Sequence, residues 1–505
     1  MAGLLLPDVA ATLRGLYGAN ISGSLQLRLD WWISGLLIAL LGTALAISSQ
    51  IWQITKLPIL ASSKPRAWML VTTSYFNLQM KIAVVLLTLG GFCAILFDGL
   101  IAGFALLGAL LIAAAIALPG LLAWCLRQLQ KYAKGPLWGW FWADTRQQLP
   151  GLSLALMALL LAVSANIGVS TMVSSFRLTF TSFLDQRLAP ELFLQVANED
   201  QSIKLMNFLS EKGVEVLPLM STETTISQQP VELFGIKIGD TYRNNWRFLE
   251  AIESPWDTIL LGKGIIVNEQ FARRTNLWVG DQVAIDLNFI LPIAAVVGDY
   301  GNPKGQVIIT EEIFSTLYPK LYPARFGIRT NESTELQYQI INQIGIDSDS
   351  IIDQKSLKAF SMEVFERTFL VTSALNILTL GVASFAILMS LLTLADRRIP
   401  QLAPVWALGL TRSQIGKLEL LRAVLLSSFV VIFSLPTGLI LAWVLLNVIN
   451  VKAFGWQLPM FLFPAEYFKL GFYAVIAAFL AASWPSFRLI RTPPSDLLKV
   501  FASER

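Results

Sequence analysis

The residues that could carry chemistry are few, and each has a bland competitor. Leu261-Gly-Lys-Gly is the nearest approach to a phosphate-binding loop. It lacks the Gly-x-x-x-x-Gly-Lys-Ser/Thr spacing that lets successive backbone amides cradle phosphates, so it reads as a β-turn. Asp281, Asp286 and Asp299 could be imagined as a hydrolytic or calcium group, but their spacing matches no ligand loop. They read as solvated turn positions. The chain has no histidine, which removes the usual triad base and the commonest metal ligand. Cys93 and Cys125 are the only cysteines and both fall in apolar runs, so the large polar segment is not a disulfide scaffold. No cationic cluster alternates with aromatics as a nucleic-acid face would. The expectation is therefore a non-catalytic chain with no cofactor, no metal site and no nucleic-acid partner.

One stretch still offers an interaction surface: Asp396 to Arg422, set between two long apolar runs. Pro400 to Leu408 reads as a short helix, with Pro400 in its first turn and Gly409 placed to stop it. Thr411 begins a new helix, because Gln414 three residues on completes a capping box. Arg397, Arg398, Trp406, Gly409 and Arg412 make this a candidate docking surface. An amphipathic connector lying on lipid headgroups is the competing reading.

The elements that position this stretch follow from composition. The chain is 55% hydrophobic and only 14% charged, with a mean hydropathy of +0.60, too apolar for a soluble globular chain. A bilayer core of about 30 Å needs roughly 20 apolar residues per helical span. Stretches near 31–51, 77–97, 99–126, 150–176, 368–394, 418–447 and 467–487 qualify, predicting a polytopic α-helical membrane protein with about seven spans. Gly103, Gly108 and Ala113 to Ala115 in the third span permit close helix packing. No acid or base lies near the middle of any run, which disfavours an ion-coupled carrier. Asn166 and Asn376 read as interhelical hydrogen-bond glue. Work across the membrane would draw its energy from a partner, and Asp396–Arg422 is where that partner could push.

Basic residues orient the spans. Sixteen lysines and arginines flank the spans on one side, Arg397, Arg398 and Arg412 among them, against Arg14, Arg28, Lys452 and Lys469 on the other. The candidate loop and the C-terminus are then cytoplasmic, and the N-terminus and the polar segment 177–367 extracytoplasmic. At a constant offset, Asp30-Trp-Trp faces Glu466-Tyr-Phe, Ile54 faces Ile490, and Pro58 faces Pro494. The first span thus reads as the last span of an earlier repeat, and the chain as the C-terminal part of a longer or split permease.

The fourth span continues without a helix breaker to Pro190, and Gln354 to Phe369 runs helically into the fifth, suggesting two helical stalks. Between them, alternating strand-like and helical segments predict an inserted mixed α/β domain. The expected division is 1–30, an extracytoplasmic N-terminal segment; 31–143, three spans; 144–189, a span and stalk; 190–353, the α/β domain. Residues 354–505 then hold a stalk, three spans, the coupling loop and the tail.

This pattern resembles the FtsX-like, MacB-type permeases of ABC transporters over about residues 144–500. The resemblance rests on one span before a large external domain and three after it. It also rests on Trp406-Ala-Leu-Gly-Leu-Thr-Arg-Ser-Gln-Ile415 after Arg397-Arg398, on Val267-Asn-Glu-Gln-Phe-Ala-Arg-Arg-Thr-Asn-Leu-Trp-Val-Gly-Asp-Gln-Val, and on Thr492-Pro-Pro-Ser-Asp-Leu-Leu-Lys. Gln401, Pro404 and Trp406 depart from the charged, unbroken docking helix common in that family. The resemblance implies a permease subunit in a bacterial inner membrane that binds a cytoplasmic ABC ATPase and a second permease copy or homologue. Such permeases extrude amphiphiles or lipoproteins, or control a periplasmic partner. A membrane-anchored scaffold or sensor is the alternative, and a secondary carrier the third reading.

Overall fold

The computed structural model describes residues 65–491 apart from 287, 288, 301–303 and 408, together with Leu29, residues 32–37 and Leu40. Most of the expected first span, and Asp30, Ile54, Pro58 and Pro494 of the proposed repeat, lie outside the described residues. Among the described residues six helices are long and apolar enough to cross a membrane.

Helices α1 (Pro65–Leu96) and α2 (Leu100–Lys131) form a hairpin. It turns at Gly99, whose φ of +126° a side chain would resist. Helix α3 (Pro136–Arg187) holds 52 residues in one piece, about 78 Å at 1.5 Å per residue. A hydrocarbon core spans about 30 Å, so α3 carries the chain well beyond it.

The chain then enters a sheet domain. In order come β1 (Leu192–Gln195), α4 (Glu199–Lys212), β2 (Glu215–Ile226), β3 (Gln229–Ile236), α5 (Asp240–Asn245), β4 (Phe248–Ala251) and α6 (Pro255–Leu260). After them come β5 (Ile265–Asn268), α7 (Glu269–Thr275), β6 (Gln282–Asp286), β7 (Phe289–Val297) and β8 (Gly305–Thr310). The domain closes with α8 (Glu311–Leu317), β9 (Arg325–Arg329), α9 (Ser333–Ile344) and β10 (Ile351–Asp353). The strand order is β10-β1-β9-β2-β3-β8-β5-β7-β4, with β6 also on β7. Among the described residues only β3–β8 and β5–β7 pair in parallel.

Side chains alternate across a strand, and that alternation sets the two faces of the sheet. On β8, Val307 and Ile309 pack with Phe271 of α7 and Phe314 of α8. Ile308 points the other way, toward Trp256 and Ile259 of α6. Leu192 and Leu194 of β1 pack under α4 and α9. One face is thus covered along most of its width. The other is covered by α5 and α6 only near β3, β5, β7 and β8.

The chain leaves through α10 (Gln354–Ala407), a helix of 54 residues that lies beside α3. Rings join the two: Phe180 stacks on Phe365 with centroids 5.1 Å apart, and Phe176 meets Phe365 edge-on at 5.2 Å. Lys358 pairs with Asp185, and the Gln354 amide side chain donates to the Leu188 carbonyl. Deeper down, Asn166 donates to the Asn376 carbonyl at 3.2 Å and accepts from Thr379 at 3.1 Å, the interhelical role expected for it. Helix α11 (Arg412–Val444) passes into a π-helical turn, Leu445–Ile449, and then α12 (Asn450–Phe454). Helix α13 (Pro464–Arg491) completes the bundle.

Candidate functional site

The Asp396–Arg422 stretch has a simpler backbone than its sequence suggests. Helix α10 runs unbroken to Ala407, so Pro400 starts no separate helix. Proline costs a helix one hydrogen bond and a steric adjustment, yet Pro119, Pro150, Pro436 and Pro485 also lie inside long helices of this chain. Packed membrane helices tolerate proline because neighbours and small local adjustments satisfy the freed backbone groups. The turn itself is as expected. Gly409 takes φ +108°, and the Thr411 hydroxyl accepts from the Gln414 amide at 3.3 Å. The Gln414 side chain accepts from the Thr411 amide at 2.8 Å, so both halves of the capping box are made.

Arg412 opens α11 and is half-buried. Gly416, one turn on, is buried against α13: a Cβ there would meet Ile490 Cγ1 at 2.4 Å. The turn is thereby pinned to the last helix. Arg397, Arg398 and Trp406 lie along the final turns of α10, and their side chains are outside the described residues. Gly409 and Arg412 therefore face the same turn, while the other three are placed by backbone alone.

Sequence reasoning counted Arg422 only as a loop cation. Here it is 1% exposed, the largest fully buried side chain among the described residues. Its Nε donates to Thr145 Oγ1 at 3.0 Å and its Nη1 to the Glu419 carboxylate at 2.9 and 3.1 Å. Nη2 pairs with Asp144, which also accepts from Gln148 at 2.7 Å. The guanidinium lies 5.6 Å from the Phe141 ring centroid. A buried arginine is retained only when its charge and donors are met, and this one ties α11 to α3. The Glu419–Arg422 spacing was legible as a helical ion pair; Asp144 was not.

A second contact joins the sheet domain to the turn between α12 and α13. Asn268 caps α7, accepting from the Phe271 amide at 3.0 Å. That cap holds Glu269 and Arg273 on one helical face. Glu269 is 3% exposed and accepts from Arg273 Nε at 2.7 Å and from the Gln457 amide at 3.1 Å. Arg273 also donates to the Gln457 side-chain oxygen at 3.2 Å, and Gln457 donates in turn to Asn447 within the π-helical turn. Burial pushes the Glu269 carboxyl above the ordinary carboxylate range, against the opposing pull of Arg273 and the Gln457 amide. Beside it, Trp456 and Leu458 pack with Leu446, Met172, Phe176 and Tyr300.

The acids singled out in the sequence do not converge. Asp281 accepts from the Trp278 amide at 2.8 Å in an exposed turn. Asp299 departs from the expectation of a solvated turn: it is 7% exposed, near the side chain of Asn268. It sits beside the α7 cap, where the Gln270 side chain donates to the Asp299 carbonyl. Among the described residues no group of three acids, cysteines or histidines could hold a metal ion.

Comparison with known proteins agrees with this membrane architecture. Residues 373–494 match the FtsX-like permease C-terminal family. An uncharacterised ABC transporter permease protein of Mycobacterium tuberculosis is 26% identical over 379 residues, which is 68% of this chain and 43% of that protein. The chain thus spans under half the length of the curated relative that it matches. Two solved structures overlap the sheet domain. One is the extracellular domain of the noncanonic ABC-type transporter YknZ from Gram-positive bacteria, 13% identical, at a TM-score of 0.25 over 32% of this chain and 98% of that one. The other is the periplasmic region of MacB from Actinobacillus actinomycetemcomitans, 13% identical, at 0.26 over 34% and 91%. At such scores the two solved structures carry no argument, and the family match concerns residues 373–494 of this chain.

Proposed function

We propose that the chain is a membrane ABC transporter permease of the FtsX-like type, the non-catalytic subunit that couples a separate cytoplasmic ATPase to movement of its sheet domain. The match over residues 373–494 and the likeness to an ABC transporter permease support this reading. The observation that carries this reading is the capped turn Gly409–Thr411. It lies at the opposite end of α10 from the sheet domain, and Gly416 fixes it against α13. A push there enters α11 directly and reaches the sheet domain along α10. The excess of arginine and lysine on that side supports a cytoplasmic turn and a sheet domain outside.

In this reading Arg397, Arg398, Trp406, Gly409 and Arg412 form the coupling surface. A second permease copy or homologue completes the transporter in a bacterial inner membrane. The work delivered outside extracts or exports an amphiphile or lipoprotein, or moves an extracytoplasmic partner. Co-purification from native membranes should return a stoichiometric ATP-hydrolysing subunit. With that complex in hand, charge reversal at Arg397 and Arg412 together should abolish permease-dependent stimulation of ATP hydrolysis while the protein stays in the membrane. Unchanged stimulation in the double variant overturns the assignment.

A further inference from the structure

The less covered face of the sheet has an opening where α5 and α6 end. There a cavity of about 650 Å³ lies over β1, β9, β2, β3 and β8. Its size falls in the roughly 300–1,000 Å³ range of small-molecule sites. Its floor is apolar because the in-out alternation of these strands turns Phe193, Leu217, Leu219, Phe234 and Ile308 to this side. Its roof is the junction with the membrane helices: Gln186 and Arg187 end α3, and Leu357 lies in the first turn of α10.

Two arginines border this apolar space: Arg187 feels the charge of Asp299 from outside the lining, and Arg325 has a hydroxyl for a neighbour. Arg187 lies flat on Trp246, its guanidinium carbon 3.9 Å from the ring centroid, and donates to the Gln306 side chain at 3.3 Å. Arg325 donates to Ser221 Oγ at 2.9 Å. Among the described residues neither forms an ion pair with a carboxylate, and Asp349 is the one acid in the lining. Burial holds the Tyr242 phenol at about 12, leaving a neutral hydroxyl on the same wall. A guanidinium offers a rigid fork of donors suited to two-point recognition of a carboxylate or phosphate. An apolar trough with such a group at its mouth suits one kind of ligand.

We propose that this cavity binds a single-chain amphiphile with an acidic headgroup, its chain along β1, β2 and β3 and its headgroup on Arg187. The site gives the sheet domain a ligand class and so deepens the proposed function. It rests on that reading only for the side of the membrane on which the domain lies. Because the ends of both long helices form the roof, occupancy bears on the elements that would move.

The test uses the full chain in nanodiscs, with no ATPase present, so its failure is distinct from failure of the coupling assignment. Photoreactive palmitic acid and photoreactive lysophosphatidic acid separate a carboxylate from a phosphate headgroup, and a photoreactive monoacylglycerol is the neutral control. Peptide mapping should place adducts of one or both acidic probes on Phe193, Leu217 or Leu219, at least tenfold above the neutral probe. Arg187→Gln should cut this labelling tenfold or more, Arg187→Lys should retain part of it, and Leu217→Trp should block it by filling the trough. Adducts confined to the membrane helices, equal labelling by the neutral probe, or full labelling of Arg187→Gln each overturn the proposal.

Discussion

The side chain with most at stake is Arg422. It satisfies two carboxylates and a hydroxyl at once in a place sealed from water. Removing one partner of a buried ion pair leaves an uncompensated charge and costs about 3–5 kcal/mol. Arg422→Met should therefore lower unfolding stability in detergent by that order, and adding Asp144→Asn should recover part of the loss. Additive losses in the double variant would mean the two residues do not act together. Glu269 gives a prediction in pH. Its folded carboxyl is raised by burial, and a group whose folded pKa lies above its unfolded value stabilises fully below the unfolded value. That contribution is lost as pH rises through the folded value. Thermal unfolding measured from about pH 4 upward should show the wild type losing ground against Glu269→Gln as pH climbs through the raised value. Parallel curves would show that the carboxyl does not titrate in the contact. At this scale the pairs Glu419 with Arg422 and Glu269 with Arg273 have the three- and four-residue spacing that a helix brings together. The sequence was silent on Asp144 and Gln457, since nothing local marks a partner hundreds of positions away.

Among elements, α3 and α11 approach each other closely. A Cβ on Gly438 would stand 2.7 Å from Ile167 Cβ and 2.8 Å from the Ser164 carbonyl oxygen, and that oxygen belongs to a backbone that cannot step aside. Overpacking of this kind costs about 1–3 kcal/mol, so Gly438→Ala should lower the unfolding midpoint. Gly108 is the contrast: a Cβ there meets nothing within 4 Å, and Gly108→Ala should be neutral or slightly stabilising through helix propensity. If both substitutions prove equally tolerated, the helices are not packed as tightly as the geometry has them. The sequence pointed to Gly103 and Gly108 for close packing. A Cβ on Gly103 would stand 3.1 Å from Ile449 Cγ1, so that position is closely approached, and Gly108 is not. An apolar run states that a helix exists but not which of its faces meets a neighbour, because lipid and helix partners are equally apolar. A helix end is also misread. Pro400 reads as a boundary in the sequence, and α10 runs through it.

For the molecule as a whole, the apolar runs and the two helical approaches to the sheet domain were legible, since both follow from length and periodicity. The strand order was not. Strand β1 pairs with β9 and β10 across most of the domain's length, and β3 with β8 across a smaller part of it, and the short strands carry no register signal of their own. The cavity was equally hidden, for it exists only where that order leaves one face without a helix. One part of the order has a mechanical meaning. Leu192 lies opposite Asp353, so the chain enters and leaves the domain on neighbouring antiparallel strands at the same end. Tension that spread α3 from α10 would peel β1 from β10 one hydrogen bond at a time, the way a zipper opens, and would never load the strands in shear. Such a pair is weak against separation. The Lys358–Asp185 pair, the Gln354–Leu188 bond and the Phe180–Phe365 stack close the zipper from below. Any stroke these helices deliver must therefore travel through them as a couple, by tilt or twist, because a scissoring stroke would spend itself unravelling the edge of the sheet.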